Sequence, residues 1–131
     1  LHHIGIVCAE SDISKFFFRP RKKFIYHDKV QKNKLIIEHN PLNNLWIEFV
    51  IPKNEKSTVY KYLNNNGPGV HHFGYETKNL QNQKKILSKK KGFLYINSFK
   101  TNITCFGGKL ETMFFFNNNF FIELLKNVEK K

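Results

Sequence analysis

The sequence contains one short motif twice, once at the start of each half. Residues 2–7 read "HHIGIV" and residues 71–76 read "HHFGYE", so that a double histidine opens a β-rich run in both places. Each copy is followed by a helical segment and then by several short strands. Such self-similarity indicates that one supersecondary unit is used twice. The 131 residues suit a single compact domain that contains both copies.

Apolar periodicity and turn residues place the same kinds of element, in the same order, in both halves. The predicted strands are 2–8, 24–27, 35–39, 45–51, 70–76, 93–96, 102–105, 111–116 and 120–125. The predicted helices are 11–18, 57–65 and 80–91. We therefore predict a single α+β domain over 1–131, with modules over about 1–52 and 70–126 that are joined by the helix over about 57–65.

Composition excludes several classes of function. The formal net charge is +12, but Lys supplies nearly all of it and only Arg19 and Arg21 are arginines. Because bidentate recognition of bases and phosphates favours Arg, we do not expect sequence-specific nucleic-acid binding. No apolar stretch reaches the length of a membrane span. The two cysteines lack metal-site spacing, which favours a reducing intracellular compartment, either the cytosol or an organelle.

Each half also ends on a strand that contains a carboxylate among large apolar residues. Glu48 lies in "WIEFV" and Glu123 lies in "FIELL". Burying such a carboxylate is costly unless it is paired or bound to a metal ion. Each half therefore offers a histidine near its start and a glutamate near its end.

If the halves pack as symmetric sheets, His3, Glu48, His72 and Glu123 converge on one point. Two imidazoles and two carboxylates suit a divalent zinc, cobalt, nickel, manganese or iron ion. The alternative, structural histidines and solvated glutamates, stays open on spacing alone. On a strand, His2 and His71 point away from the face of their neighbours, so we expect them to pack and not to bind metal. His27 and His39 receive no role and are expected at exposed positions.

Four segments resemble the vicinal oxygen chelate superfamily, the glyoxalase fold, and within it the methylmalonyl-CoA epimerases most closely. The resemblance is strongest over 45–80 and at both ends of the chain, and it weakens over 19–33 and 98–113. The most specific segment is the one that joins the linking helix to the second double histidine. The four segments are "HHIGIV" (2–7), "IEFVIP" (47–52), "STVYKYLNNNGPGVHHFGYE" (57–76) and "FIELL" (121–125).

The resemblance implies two pseudo-symmetric βαβββ modules that form a metal-lined cleft. It assigns the metal ligands to His3, Glu48, His72 and Glu123, and it implies proton abstraction next to a carbonyl group through an enolate. An epimerase needs a proton carrier on each side of the reacting carbon. Glu123 and Glu38 are the expected carriers, although a solvated position at the strand edge is the alternative for Glu38.

Two other functions stay open. A glyoxalase I-like lactoylglutathione lyase uses the same chemistry on a glutathione adduct, and the bacterial type resembles this chain in having Glu at the position of Glu48. The other alternative is a catalytically silent protein of the same fold that binds a metal or a ligand. The expected partner is accordingly a small acyl-CoA or a glutathione adduct, and a homodimer is an open alternative.

Overall fold

The computed structural model describes residues 1–16, 22–40, 42–118 and 120–128. The strands of this part are β1 (His3–Val7), β2 (Lys22–Asp28), β3 (Asn33–Asn40), β4 (Leu45–Pro52), β5 (Gly69–Glu76), β6 (Phe93–Ile103), β7 (Gly108–Asn117) and β8 (Phe120–Asn127). The helices are α1 (Tyr60–Asn66), α2 (Leu80–Ser88) and the 3-10 helices Glu10–Lys15 and Thr104–Phe106. None of these helices is both long and apolar enough to cross a membrane.

The chain divides into two compact units. The first unit is His3–His71, and the second combines Leu1–His2 with His72–Lys131. In the first unit the sheet order is β2-β3-β4-β1, with β1 parallel to β4 and the other pairs antiparallel. Its core lies on one face of this sheet, where Ile36, Phe49 and their neighbours pack against Ile13 and Phe16 of the 3-10 helix segment.

The second unit has the same topology. Its sheet order is β5-β8-β7-β6, β5 is parallel to β8, and β7 is antiparallel to both β8 and β6. Helix α2 begins after Asn79, whose side chain accepts a hydrogen bond from the Asn82 backbone N–H at 3.0 Å. The helix then places Leu80 and Leu87 against one face of the sheet. The predicted α+β fold with two βαβββ modules is thus confirmed.

Two predicted elements differ from the structure. Residues 93–96 and 102–105 were expected to be separate strands, whereas β6 is continuous and β7 pairs along it, with a shift of register between Tyr95 and Asn97. Residues 97–101, between the two predicted strands, alternate between half-buried and exposed positions, which is the pattern of a strand and not of a loop. The first helix is a 3-10 helix that ends at Lys15, and the predicted end at Phe18 lies outside the described residues.

Candidate functional site

In the first unit, His3 and Glu48 lie on the same face of the sheet. The parallel pairing of β1 with β4 sets His3 beside Trp46 and Gly5 beside Glu48. Paired residues share a face, and residues two apart along a strand share it too. His3 is 0% exposed and Glu48 is 6% exposed. Because Gly5 has no side chain, the sheet stays open beside the Glu48 carboxylate.

Burial disfavours the charged form of Glu48. It raises the pKa of this carboxyl group to about 8, and the negative charge of Asp28 acts in the same direction. A divalent cation would reverse both effects, since it compensates the buried negative charge and displaces the proton. The chemistry of Glu48 therefore fits that of a metal ligand.

The second unit repeats this arrangement. The parallel pairing of β5 with β8 sets His72 beside Phe121 and Gly74 beside Glu123. The His72 Nε2 atom lies 3.6 Å from the Glu123 Oε2 atom. Both side chains are buried, and the edge of the His72 ring contacts the Phe114 ring at a centroid distance of 5.6 Å. One imidazole and one carboxylate therefore share a face in this unit as well.

The repeated motif now has a structural basis in its glycine, the fourth position, as well as in its histidines. In both units the glycine two residues after the buried histidine is the register partner of the buried glutamate. His3, Glu48 and His72 are buried, and each offers one atom of a kind that binds metal ions. Of the predicted site residues, the structure pairs His3 with Glu48 in one unit and His72 with Glu123 in the other.

Glu38 does not join this arrangement. Strand β3 pairs Glu38 with Ile47 and pairs Ile37 with Glu48. Glu38 therefore lies on the opposite face of the sheet, the face that holds the core around Phe49. An offset of one residue along a strand reverses the face of a side chain. Glu38 is thus not positioned to move a proton on the face of Glu48, contrary to the expectation from sequence.

The environment of Glu38 is costly for a charged group. The residue is 3% exposed, and its Oε2 atom has no hydrogen-bond partner among the residues that the structure describes. Burial raises the pKa of its carboxyl group, and the positive charge of Lys23 only partly opposes this rise. The folded protein therefore favours the protonated form more than the unfolded chain does.

We expect Glu38→Gln to stabilise the protein at pH 8 but not at pH 4. The pKa is raised above 4.5 in the folded state, so the parent loses stability as the pH rises from 4.5 through the folded value. The neutral amide escapes this loss, with an expected gain of about 1 kcal/mol. Urea unfolding at both pH values measures the gain, with Glu55→Gln at an exposed carboxylate as the control. If Glu38→Gln raised the free energy of unfolding equally at both pH values, the raised pKa of Glu38 could not be the cause.

Sequence analysis gave no role to four side chains on the Glu48 face. Trp46 contacts the rings of His39 and Phe24 at centroid distances of 4.4 and 5.9 Å. Asp28 shares this face because β2 pairs in register with β3. Alternation of side chains along β2 and β3 is the signal that would have found them, but using it requires the pairing register of β2, β3 and β4.

His2 and His71 lie against aromatic rings, as predicted for the first histidine of each pair. The His71 ring meets Tyr62 edge-on at 4.8 Å, and the His2 ring meets Phe106 edge-on at 4.6 Å. Burial lowers the pKa of His71 to about 4, so this imidazole stays neutral at physiological pH. Both residues contribute to packing.

The sequence matches the family model of the Glyoxalase/Bleomycin resistance protein/Dioxygenase superfamily over residues 2–101. The chain belongs to this superfamily. No protein of curated function matches the sequence. The superfamily is the one that the four sequence segments resemble, under its other name, the glyoxalase fold.

Solved structures show the same fold as this superfamily member. Methylmalonyl-CoA epimerase from Mycobacterium tuberculosis is 18% identical, with a TM-score of 0.69 over 98% of this chain and 87% of that one. A hypothetical protein from Bacillus halodurans is 20% identical, with a TM-score of 0.74 over 100% and 96%. A variant of the Streptomyces coelicolor epimerase, solved with 2-nitronate-propionyl-CoA, is 19% identical, with a TM-score of 0.69 over 98% and 96%.

Proposed function

We propose that this protein is a divalent-metal-dependent enzyme that moves a proton at a carbon next to a carbonyl group, through an enolate. One observation supports the proposal above all others. Each unit sets a buried histidine and a buried glutamate on one sheet face, with a glycine beside the glutamate. A chain that only needed a packed core would gain nothing from two such pairs.

We propose His3, Glu48, His72 and Glu123 as the residues that hold the metal ion. Nitrogen and carboxylate oxygen donors suit zinc, cobalt, nickel, manganese or iron. The raised pKa of Glu48 supports this assignment, since a buried carboxyl group of this kind gains most from a nearby cation. When bound, the ion supplies Lewis-acid stabilisation of the negative charge that develops on the substrate oxygen.

Glu123 is the proposed proton carrier. Its carboxylate lies beside the imidazole of His72, which orients it, and beside Phe114 on the neighbouring strand. The residue is 8% exposed, so the carboxylate is shielded from bulk water while the enolate is present. Between turnovers the carboxyl proton exchanges with solvent, so turnover in D2O introduces deuterium at the reacting carbon.

An epimerase of an acyl-CoA is the first candidate, in line with the epimerase folds and with the sequence segments that resemble them. A second proton carrier would have to lie on the Glu48 face, where Asp28 is the additional acidic residue. The Asp28 carboxylate already accepts hydrogen bonds from the backbone N–H groups of Val30 and Gln31. The second candidate is a glyoxalase I-like lyase, for which one proton carrier suffices. Because Glu38 lies on the face opposite Glu48, it leaves Glu123 as the single proposed carrier, and this favours the lyase.

Deuterium exchange tests the proposal. The metal-loaded protein is incubated in D2O with methylmalonyl-CoA, and proton NMR follows the signal of the α-carbon; the isomerisation of methylglyoxal with glutathione is followed in parallel. Exchange on the thioester supports the epimerase, and isomerisation of the adduct supports the lyase. The absence of both reactions, with metal still bound, would contradict an enzymatic role and leave the silent binding protein.

Metal content tests the ligand set independently of turnover. We expect one divalent ion per chain in the parent and weaker binding after replacement of any proposed ligand by Ala. His27→Ala is the matched control, because His27 is an exposed histidine on β2. If all four ligand variants retain the metal as well as the parent does, the proposed site is wrong.

A further inference from the structure

The sheet face that carries Glu123 is unusually rich in phenylalanine. Phe114 and Phe121 are the register partners of Glu123 and His72, and Phe116 pairs with Phe121. Phe99 reaches Phe114 from β6, with ring centroids 6.2 Å apart. All four rings are only partly buried, whereas the core of this unit lies on the other face, under α2. These rings are therefore available to a ligand.

Two buried polar atoms on the same face lack a hydrogen-bond partner among the described residues. Strand β6 sets Asn97 opposite Phe114 and Thr101 opposite Leu110. The Asn97 Oδ1 and Thr101 Oγ1 atoms are buried and make no hydrogen bond within the described part of the chain. A buried polar atom without a partner is destabilising, so its presence calls for a ligand or another explanation.

The bulge in β6 is what brings these atoms to the Glu123 face. Tyr95 pairs with Phe115 and Asn97 pairs with Phe114, so Ile96 is an extra residue. Without that residue, Asn97 and Thr101 would point to the face that α2 covers. Bulges that redirect side chains occur preferentially beside binding and active sites. The bulge therefore places the unpartnered Asn97 Oδ1 atom beside Phe114, as expected for a ligand subsite.

The charges on these strands point to an uncharged ligand group. The lysines of β5–β8 are Lys100, Lys109 and Lys126, and register places all three on the opposite face. Glu76 and Glu123 are the acidic residues on the phenylalanine-rich face. A free carboxylate on the acyl chain, such as that of methylmalonyl-CoA, would therefore have no cationic side chain of these strands nearby. An aromatic ring on the acyl chain could instead make edge-to-face contacts with the phenylalanine rings.

We propose that this face binds an aryl group of the substrate acyl chain, with a hydroxyl group on the ring that reaches Asn97. The proposal rests on the proposed function, because it assumes that Glu123 faces the reacting carbon. The aryl ring packs among Phe99, Phe114 and Phe116. The ring hydroxyl donates a hydrogen bond to the Asn97 Oδ1 atom, which strand pairing sets opposite Phe114.

Calorimetric titration of the zinc-loaded full chain tests this specificity. The probes are 4-hydroxyphenylacetyl-CoA, phenylacetyl-CoA and methylmalonyl-CoA. We expect the hydroxylated thioester to bind at least about tenfold more tightly than methylmalonyl-CoA, and loss of the ring hydroxyl to weaken binding about tenfold. These comparisons use the parent protein and so do not depend on the folding of any variant.

A variant then tests the polar residue. Asn97→Leu is expected to reduce the preference for the hydroxylated ring to about twofold without lowering the unfolding temperature, since its Oδ1 atom makes no hydrogen bond to a described residue. Two controls should keep the preference. Thr101→Val lies on the same face but about 13 Å away along β6, and Asn102→Leu is an exposed position on the other face. Retention of the full preference in Asn97→Leu would overturn the assignment.

The outcomes separate this inference from the proposed function. If methylmalonyl-CoA binds more tightly than both aryl thioesters, the aryl subsite is wrong and the proposed function stands. If none of the three thioesters binds, the acyl-CoA function and the aryl subsite are both wrong.

Discussion

Glu123→Gln is expected to abolish proton exchange, while Glu48→Gln is expected to retain much of it. Both substitutions keep a side-chain oxygen that can bind a metal ion. Only the change at Glu123 removes the proposed proton carrier, which typically contributes about 10²–10⁴-fold to the rate. Glu48 has no proton to move in the proposed mechanism.

The comparison is made by deuterium exchange on the better of the two substrates, with metal content measured in the same samples. Both variants should retain bound metal, so a lower rate in Glu123→Gln then reports chemistry and not loss of the ion. Equal rates in the two variants would exclude Glu123 as the carrier. A lower rate in Glu48→Gln alone would reverse the two roles.

Gly107→Ala is expected to destabilise the protein by about 3 kcal/mol, which lowers the unfolding temperature by roughly 10 °C. The backbone φ of Gly107 is +98°, a conformation that residues with a Cβ atom rarely adopt. A Cβ atom at this position would also clash with the Asn127 side-chain amide. That amide is buried and donates a hydrogen bond to the Phe106 carbonyl at 3.1 Å, so it has no room to withdraw.

Gly107→Ala in the Asn127→Ala background is the matched control for this effect, because the backbone conformation is the same and the clashing amide is gone. In that background the substitution incurs the backbone penalty alone, about 1 kcal/mol. Thermal and urea unfolding measure the loss in both backgrounds. If Gly107→Ala costs the same stability in both, the contact with Asn127 contributes nothing.

The duplicated architecture was predictable because it depends on patterns that repeat along the chain. Both halves show a β-rich start, a helical segment and strands bounded by turn residues, and the structure has the same sheet order in both units. The face shared by His3 and Glu48 also follows from a regular feature, the alternation of side chains along paired strands. The prediction failed at β6, where polar residues resembled a loop although β7 provides a continuous pairing partner.

Glu38 shows where the sequence was insufficient. The carboxylate lies on the predicted strand, but a shift of one residue in the pairing with β4 decides whether it faces His3 or the core. Turn geometry in the connection between β3 and β4 sets that register, and the sequence does not specify it. The same limit hid Asp28 and the Trp46 cluster, because their common face exists only once β2, β3 and β4 are paired.

The sequence by itself determined the repeat, the identity of the candidate donor residues and the class of fold, because each depends on local pattern and residue chemistry. The tertiary structure alone decided which face of the sheet Asp28, Glu38 and Asn97 occupy. It brought the imidazole of His72 to within 3.6 Å of the Glu123 carboxylate, and it turned Glu38 away from Glu48. It also turned Asn97 towards the Glu123 face through a single extra residue in β6. Strand register and bulges arise from pairing between distant segments, so no single stretch of sequence encodes them.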